Sequence, residues 1–128
     1  MSAAPGSTVI IAVGDEILSG HTLDTNSNLL AKAAFAAGHP VRRIEAVADD
    51  VAAIGDTVRR AVAEPGVRFI VVSSGIGPTP DDLTFGAVAE ALGRPLELNP
   101  EAYERIEALV RRMHDAGWVD SAEVSEAN

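Results

Sequence analysis

The sequence predicts an α/β fold: a three-layer α/β/α sandwich with a mostly parallel sheet. Three observations predict it: short apolar runs rich in β-branched residues, helical patterns that alternate with these runs, and short connections between them. Alternating strands and helices form crossover units, which place helices on both faces of a parallel sheet. A chain of 128 residues with 47% apolar residues is long enough to bury such a core. Disordered and fibrous proteins are thereby excluded.

Three segments are predicted to be strands. Residues 8–13 form a nearly continuous apolar run that Gly14 ends, which is typical of a strand covered on both faces. Residues 68–73 form a second strong run between glycines, and residues 41–47 form a weaker one. We therefore expect a sheet of three strands.

Four helices are predicted around these strands. The first is expected over residues 24–37, and the second begins after Asp49 or Asp50, either of which is a capping residue. The third is expected over about residues 82–92, and the fourth from Pro100 to about Gly117. The apolar stripe predicted for the second helix comprises Val51, Ile54, Val58 and Val62.

Charge and composition exclude several classes of function. Nineteen acidic residues against ten Lys and Arg give a net charge of −9, so we expect neither nucleic acid nor an anionic membrane as a partner. The absence of cysteine excludes disulfides and thiol chemistry, and the three histidines lack the spacing of a zinc site. No segment has the pattern of a signal or membrane span, which predicts a cytoplasmic protein.

The acidity is uneven along the chain. Residues 113–128 carry four acidic residues and neither Lys nor Arg, and the periodicity of the preceding helix stops at Trp118. We therefore expect one domain over residues 1–117 and a disordered acidic tail over residues 118–128.

The loops after the three strands carry the candidate functional residues, because ligands of such sheets bind at the carboxyl ends of the strands. The first loop holds Gly14, Asp15 and Glu16, and the second holds Asp49 and Asp50. Glycine N–H groups and hydroxyls of the third loop suit a phosphate, and Mg²⁺ would make that phosphate compatible with nearby carboxylates. The residues of this third loop that we single out are Ser73, Ser74, Gly75, Gly77, Thr79 and Asp82.

Each acidic pair also has a purely structural interpretation. One carboxylate of the third loop would cap the following helix, and one of Asp49 and Asp50 would do the same for the second helix. Asp15 and Glu16 would mark a turn or the start of a helix, whose amino end favours negative charge. From the residues alone these alternatives stay open.

Two long motifs, residues 14–20 followed by 24–28, and residues 73–84, resemble the molybdopterin-binding domain of molybdenum-cofactor biosynthesis proteins. The closest branch resembles the N-terminal domain of competence/damage-inducible protein A, and the resemblance extends over about residues 8–112. It implies a pterin or nucleotide ligand at the carboxyl edge of the sheet. It also implies Mg²⁺-assisted chemistry: adenylyl transfer from ATP to molybdopterin, or pyrophosphate cleavage of nucleotides such as ADP-ribose.

The resemblance also implies roles for individual residues. Asp82 and Asp49 match aspartates with catalytic or metal-organising roles, which makes them the predicted catalytic and metal-binding residues. Ser74 stands where the family usually has glycine. The predicted ligand-binding residues are Gly14, Asp15, Glu16, Ser73, Ser74, Gly75, Gly77 and Thr79.

The family domain normally continues past the fourth helix into further strands, so the resemblance implies a C-terminally shortened domain. A shortened, non-catalytic binding or assembly module is therefore the alternative to an enzyme, and a fragment of a longer protein is a third possibility. The uncovered edge of a three-stranded sheet is a pairing surface, which predicts a homo-oligomer in either case.

Overall fold

A computed structural model describes residues 6–74 and 83–124 of the chain. The elements are β1 (Ser7–Val13), α1 (Asp15–Leu18), α2 (Thr25–Ala36), β2 (Val41–Val47), α3 (Val51–Ala63), β3 (Val67–Ser73), α4 (Thr84–Ala91) and α5 (Pro100–Asp115). Contacts divide the chain into two units, Met1–Pro95 and Leu96–Asn128. The first unit contains the sheet and the helices α1 to α4, and the second contains α5. The predicted boundary after residue 117 stays a prediction.

The sheet of the first unit has three parallel strands in the order β2-β1-β3. The middle of β1 is held on both sides, since Ile10 pairs with Ile44 of β2 and with Val71 of β3. This arrangement explains why β1 has the most continuous apolar run: it is covered by strands at both edges and by helices on both faces. The predicted parallel sheet of three strands is confirmed in the described residues.

Helices cover both faces of the sheet. On one face, alternate side chains of β1, among them Val9 and Ile11, form the core with Ile54 and Val58 of α3 and Ala87 of α4. The side chains between them point to the opposite face, where α2 contacts β1 and β2. Ile10 on that face is completely buried. The predicted α/β/α layering is confirmed.

Local signals fix where several helices begin. Asp24 caps α2 by accepting a hydrogen bond from the N–H of Ser27 at 3.0 Å. Asp50 caps α3 in the same way, with 2.8 Å from its Oδ1 to the N–H of Ala53. Asp50 therefore takes the capping role that the sequence left open between it and Asp49.

Three details of the helices differ from the sequence prediction or were left open by it. Val51 and Val62 of the predicted α3 stripe are exposed, at 39% and 57%, because the buried face of this helix instead comprises Ile54, Gly55, Thr57, Val58 and Ala61. Helix α1 is a single turn that begins at Asp15, so of the two structural interpretations given for Asp15 and Glu16, the start of a helix is the one observed. Leu83 takes the capping position of α4 without a side-chain bond, and the carboxylates considered for this role, Asp81 and Asp82, lie outside the described residues.

An ion-pair network joins β2 to the end of α3. Arg43 donates from Nη1 to Oε2 of Glu64 at 2.5 Å, and Arg42 donates to the other oxygen of Glu64 at 3.3 Å. Mainly because Arg43 donates to it, the pKa of Glu64 lies below its usual value, although partial burial opposes this shift. Glu64 is therefore held ionised in the folded protein.

The second unit contains one amphipathic helix. Helix α5 is capped by Asn99, whose side chain accepts from the N–H of Ala102 at 3.0 Å. Among the apolar residues of α5, Tyr103, Val110 and Met113 are half-buried, whereas Ile106 is more exposed. No helix in the described parts of the chain is long and apolar enough to cross a membrane.

Candidate functional site

The strand order decides where a ligand can enter the sheet edge. The chain leaves β1 toward β2 on one side, and it leaves β2 across the sheet to β3 on the other side. The carboxyl ends of β1 and β3 therefore flank a switch point, which is where ligands of open parallel sheets bind. A cavity of about 220 Å³ lies there. The described residues that line it are Ala12, Val13, Glu16, Ile17, Thr22, Leu23, Asp24, Thr25, Asn26, Ser73 and Ser74.

Glu16 lines one wall of this cavity, and Gly14 lies directly behind its side chain. Gly14 donates from its N–H to the carbonyl of Val47 at 3.0 Å, and its φ of 164° is ordinary extended backbone. The side chain of Glu16 folds back over Gly14, and a Cβ added there would lie 2.6 Å from Oε1 of Glu16. The glycine thus leaves the space that the Glu16 carboxylate occupies.

Asp15 and Asp49 hold each other across the β1 and β2 loops. The N–H of Asp15 donates to Oδ2 of Asp49 at 3.0 Å, and the N–H of Asp49 donates to Oδ1 of Asp15 at 3.1 Å. Neither residue lines the cavity. Because β2 lies on the far side of β1 from β3, its loop reaches the sheet edge away from the switch point.

The first turn of α2 forms the opposite wall of the cavity. Asn26 donates from Nδ2 to Oγ of Ser73 at 3.3 Å, which connects this helix to the end of β3. Asp24 caps the helix through its Oδ1. Thr25, between Asp24 and Asn26 in the sequence, also lines the cavity. Sequence reasoning did not select Asp24, Thr25 or Asn26 as site residues. The available signal was the cap itself, because it starts a crossover helix at the functional edge.

The structure thus divides the predicted site residues into three groups. Glu16, Ser73 and Ser74 line the cavity, with Gly14 directly behind Glu16. Asp15 and Asp49 lie beside β2. Gly75, Gly77, Thr79 and Asp82 lie outside the described residues.

The described part of the cavity is acidic and rich in hydrogen-bonding groups. It contains the carboxylates of Glu16 and Asp24 and no lysine, arginine or histidine. Within the described ranges, no group of three His, Asp or Glu side chains is arranged to hold a metal ion. These residues can orient a polar ligand through hydroxyl and amide groups. By themselves they do not form a complete metal site, and they do not neutralise a phosphate.

Comparison with known proteins identifies this architecture. The family profile described as "Probable molybdopterin binding domain" matches residues 9–125. The chain belongs to this family. The resemblance inferred from the two motifs is confirmed, and the family membership agrees with a small-molecule ligand.

Two solved structures have a similar fold. The chain is similar to the protein CinA from Thermoplasma acidophilum, with 30% identity, a TM-score of 0.73, and coverage of 98% of this chain and 68% of that one. It is also similar to a molybdopterin biosynthesis protein from Mycobacterium abscessus, with 28% identity, a TM-score of 0.64, and coverage of 88% and 66%.

A relative from Thermococcus kodakarensis is about twice as long as this chain. It is 43% identical over 117 residues, which make up 91% of this chain and 46% of the relative. The chain therefore spans about half the length of the curated relatives it matches.

Proposed function

We propose that the cavity between β1 and β3 holds a phosphorylated pterin or a nucleotide. The observation that carries this proposal is the position of the cavity: it lies at the switch point, with hydroxyl and amide groups from β3 and from the first turn of α2. A volume of about 220 Å³ suits one part of such a ligand, such as a sugar phosphate, rather than a whole dinucleotide.

Magnesium is part of the proposal because the cavity is acidic. A phosphate beside Glu16 and Asp24 is repelled unless a cation lies between them, and the described lining has no basic side chain. Mg²⁺ is commonly held by one or two carboxylates together with substrate phosphates and water. The resemblance predicts Asp82 and Asp49 for this role, but Asp49 does not line the cavity and one of its carboxylate oxygens accepts from the N–H of Asp15, so Asp82 is the residue that we retain as the Mg²⁺ ligand. When bound, the ion would supply neutralisation of the phosphate charge.

The proposed reaction is attack on a phosphorus atom of the bound nucleotide. In adenylyl transfer, a pterin phosphate oxygen bonds to the α-phosphorus of ATP, and pyrophosphate leaves with the electron pair of the broken bond. In pyrophosphate cleavage of a nucleotide such as ADP-ribose, a water oxygen bonds to one phosphorus of the diphosphate and its proton is released to solvent. The bridging P–O bond breaks, and the departing phosphate monoester takes the electron pair. The part of the described residues is to orient the ligand: Ser73 and Asn26 from one side, and Glu16 from the other.

The test is a calorimetric titration of the chain with ATP, ADP-ribose and molybdopterin, each with and without Mg²⁺, followed by product analysis. We expect saturable binding of at least one ligand that strengthens with Mg²⁺, and turnover that Asp82→Asn abolishes. Absence of binding to all three ligands would refute the proposal. Binding without turnover would instead favour the alternative, a non-catalytic binding module.

We also propose that the chain self-associates, as the sheet edge predicts. Among the described strands, β3 pairs with β1 alone, and its Phe69 is 44% exposed. Sedimentation equilibrium over a range of concentrations should show a mass above 13.3 kDa. A monomer at every concentration would contradict this proposal.

A further inference from the structure

We propose that Asp49 is a positioning residue. With Asp15 it forms a reciprocal pair, which we call the Asp15–Asp49 clasp, that sets the direction of α1 and so places Glu16 at the cavity. The clasp requires a hydrogen-bond acceptor at each position and does not require their charges. Its relevance to a ligand rests on the function proposed above, whereas the clasp itself can be tested without any ligand.

The clasp continues the pairing of β1 with β2 beyond the ends of the strands. The last paired residues are Val13 and Val47, and the next contact is the bond from the N–H of Gly14 to the carbonyl of Val47 at 3.0 Å. The two bonds of the clasp follow at 3.0 and 3.1 Å. Because two opposed bonds close a ring between the loops, they fix the position of one loop relative to the other.

Helix α1 takes its direction from this ring. Asp15 is the first residue of α1, and Glu16 is the next one. Beyond the helix, the N–H of Thr22 donates back to the carbonyl of Glu16 at 3.0 Å, and Thr22 also lines the cavity. The clasp holds the amino end of this short turn, which has no buried residue of its own. Loosening the clasp would therefore let the Glu16 carboxylate move.

The position of Asp49 supports an indirect role. It follows β2, on the side of β1 away from the cavity, and one of its carboxylate oxygens is engaged by the N–H of Asp15. One engaged oxygen on each side chain suffices for the clasp, and the amide oxygen of asparagine is an acceptor of the same shape. This inference revises the role predicted for Asp49, from metal ligand to positioning residue, and leaves that of Asp82 as predicted.

The first experiment measures amide hydrogen exchange by NMR in the parent chain and in four variants, Asp15→Ala, Asp15→Asn, Asp49→Ala and Asp49→Asn. In the parent, both amides should be protected. Asp49→Ala should speed exchange of the Asp15 amide about tenfold, and Asp15→Ala should do the same for the Asp49 amide, because each loses its acceptor. Both Asn variants should keep the protection.

The second experiment compares the same variants in thermal unfolding and in nucleotide titration. We expect the Ala variants to lower Tm by about 3–6 °C and to weaken ligand binding about tenfold. The Asn variants should stay within about twofold of the parent in affinity, since they restore the acceptor. Glu90→Gln, which removes one exposed negative charge from α4, is the control and should change neither quantity.

The outcomes separate the inference from the proposed function. Unprotected amides in the parent, or fast exchange in the Asn variants, would overturn the clasp whatever the ligand result. Protection that follows the pattern above, together with no ligand binding, would retain the clasp and refute the proposed function. If Asp49→Asn keeps the protection but loses ligand binding, Asp49 acts through its charge and the positioning role is wrong.

Discussion

The substitution Gly14→Ala tests how tightly the Glu16 carboxylate is placed. The added Cβ would lie 2.6 Å from Oε1, 2.8 Å from Cδ and 2.9 Å from Oε2, all in Glu16. Ordinary contacts begin at about 3.5 Å, so the carboxylate must move by about 1 Å. The backbone tolerates alanine because its φ of 164° is extended, and the lower entropy of the unfolded chain contributes about 0.4–1 kcal/mol in favour of folding.

We therefore expect Gly14→Ala to weaken ligand binding without unfolding the chain. A displacement of about 1 Å at a positioned group can cost up to about 100-fold, and at least a tenfold loss of affinity is expected by calorimetry. The free energy of unfolding, from urea denaturation, should stay within about 1 kcal/mol of the parent. The matched control is Gly86→Ala in α4, whose Cβ would meet nothing within 4 Å, and which should bind normally. Parent-like binding by Gly14→Ala would show that the position of the Glu16 carboxylate does not determine the affinity for the ligand.

Three further predictions concern stability. Val58→Ala should lower the free energy of unfolding, measured by urea denaturation, by about 2 kcal/mol, because Val58 in α3 is only 2% exposed. Val62→Ala should lower it by less than about 0.5 kcal/mol, because Val62 is 57% exposed. Equal losses for the two variants would contradict the described core. Since the pKa of Glu64 is lowered by folding, its stabilisation is full above its usual value of 4.5 and is lost as the pH falls through the lower folded value. Glu64→Gln should flatten the decline of Tm below about pH 4.5, and an unchanged slope would show that the pairing with Arg43 is absent in solution. Asp50→Ala should lower the free energy of unfolding by about 1 kcal/mol, and Asp50→Asn by much less, because asparagine also caps a helix. Equal stability of Asp50→Ala and the parent would show that this cap does not form in solution.

Much of the fold could be predicted because its signals are local. Strands β1 and β3 appear as apolar runs bounded by glycine, and the predicted ranges 8–13 and 68–73 differ from the observed ones by one residue at the start. Burial of individual helix residues was harder to predict. Val62 has the same spacing as Val58, but the buried face of α3 continues through Ala61 instead, and a single sequence does not show which of two adjacent apolar residues faces the core.

The site was predicted in composition more than in geometry. The rule that ligands bind at the carboxyl edge placed Glu16 and Ser73 at one edge of the sheet, and both line the cavity, while their role in binding stays a prediction. The same rule grouped Asp49 with them, because the order of strands within the sheet cannot be read from the chain. Once β1 is central, the loop after β2 lies on the other side of the switch point. The contact between Asp15 and Asp49 spans 34 residues and has no local signal.

The most direct test of nucleotide binding in the cavity is to map a bound nucleotide onto the chain by NMR. Amide chemical shifts would be followed while ATP or ADP-ribose is added in the presence of Mg²⁺. We expect saturable shifts at the cavity, centred on Glu16, Asn26 and Ser73. Little change is expected at Arg43 on the outer strand β2 and at its partner Glu64 at the end of α3. Shifts centred on that pair, or no saturable shifts with either nucleotide, would contradict the proposal that the cavity between β1 and β3 binds a nucleotide.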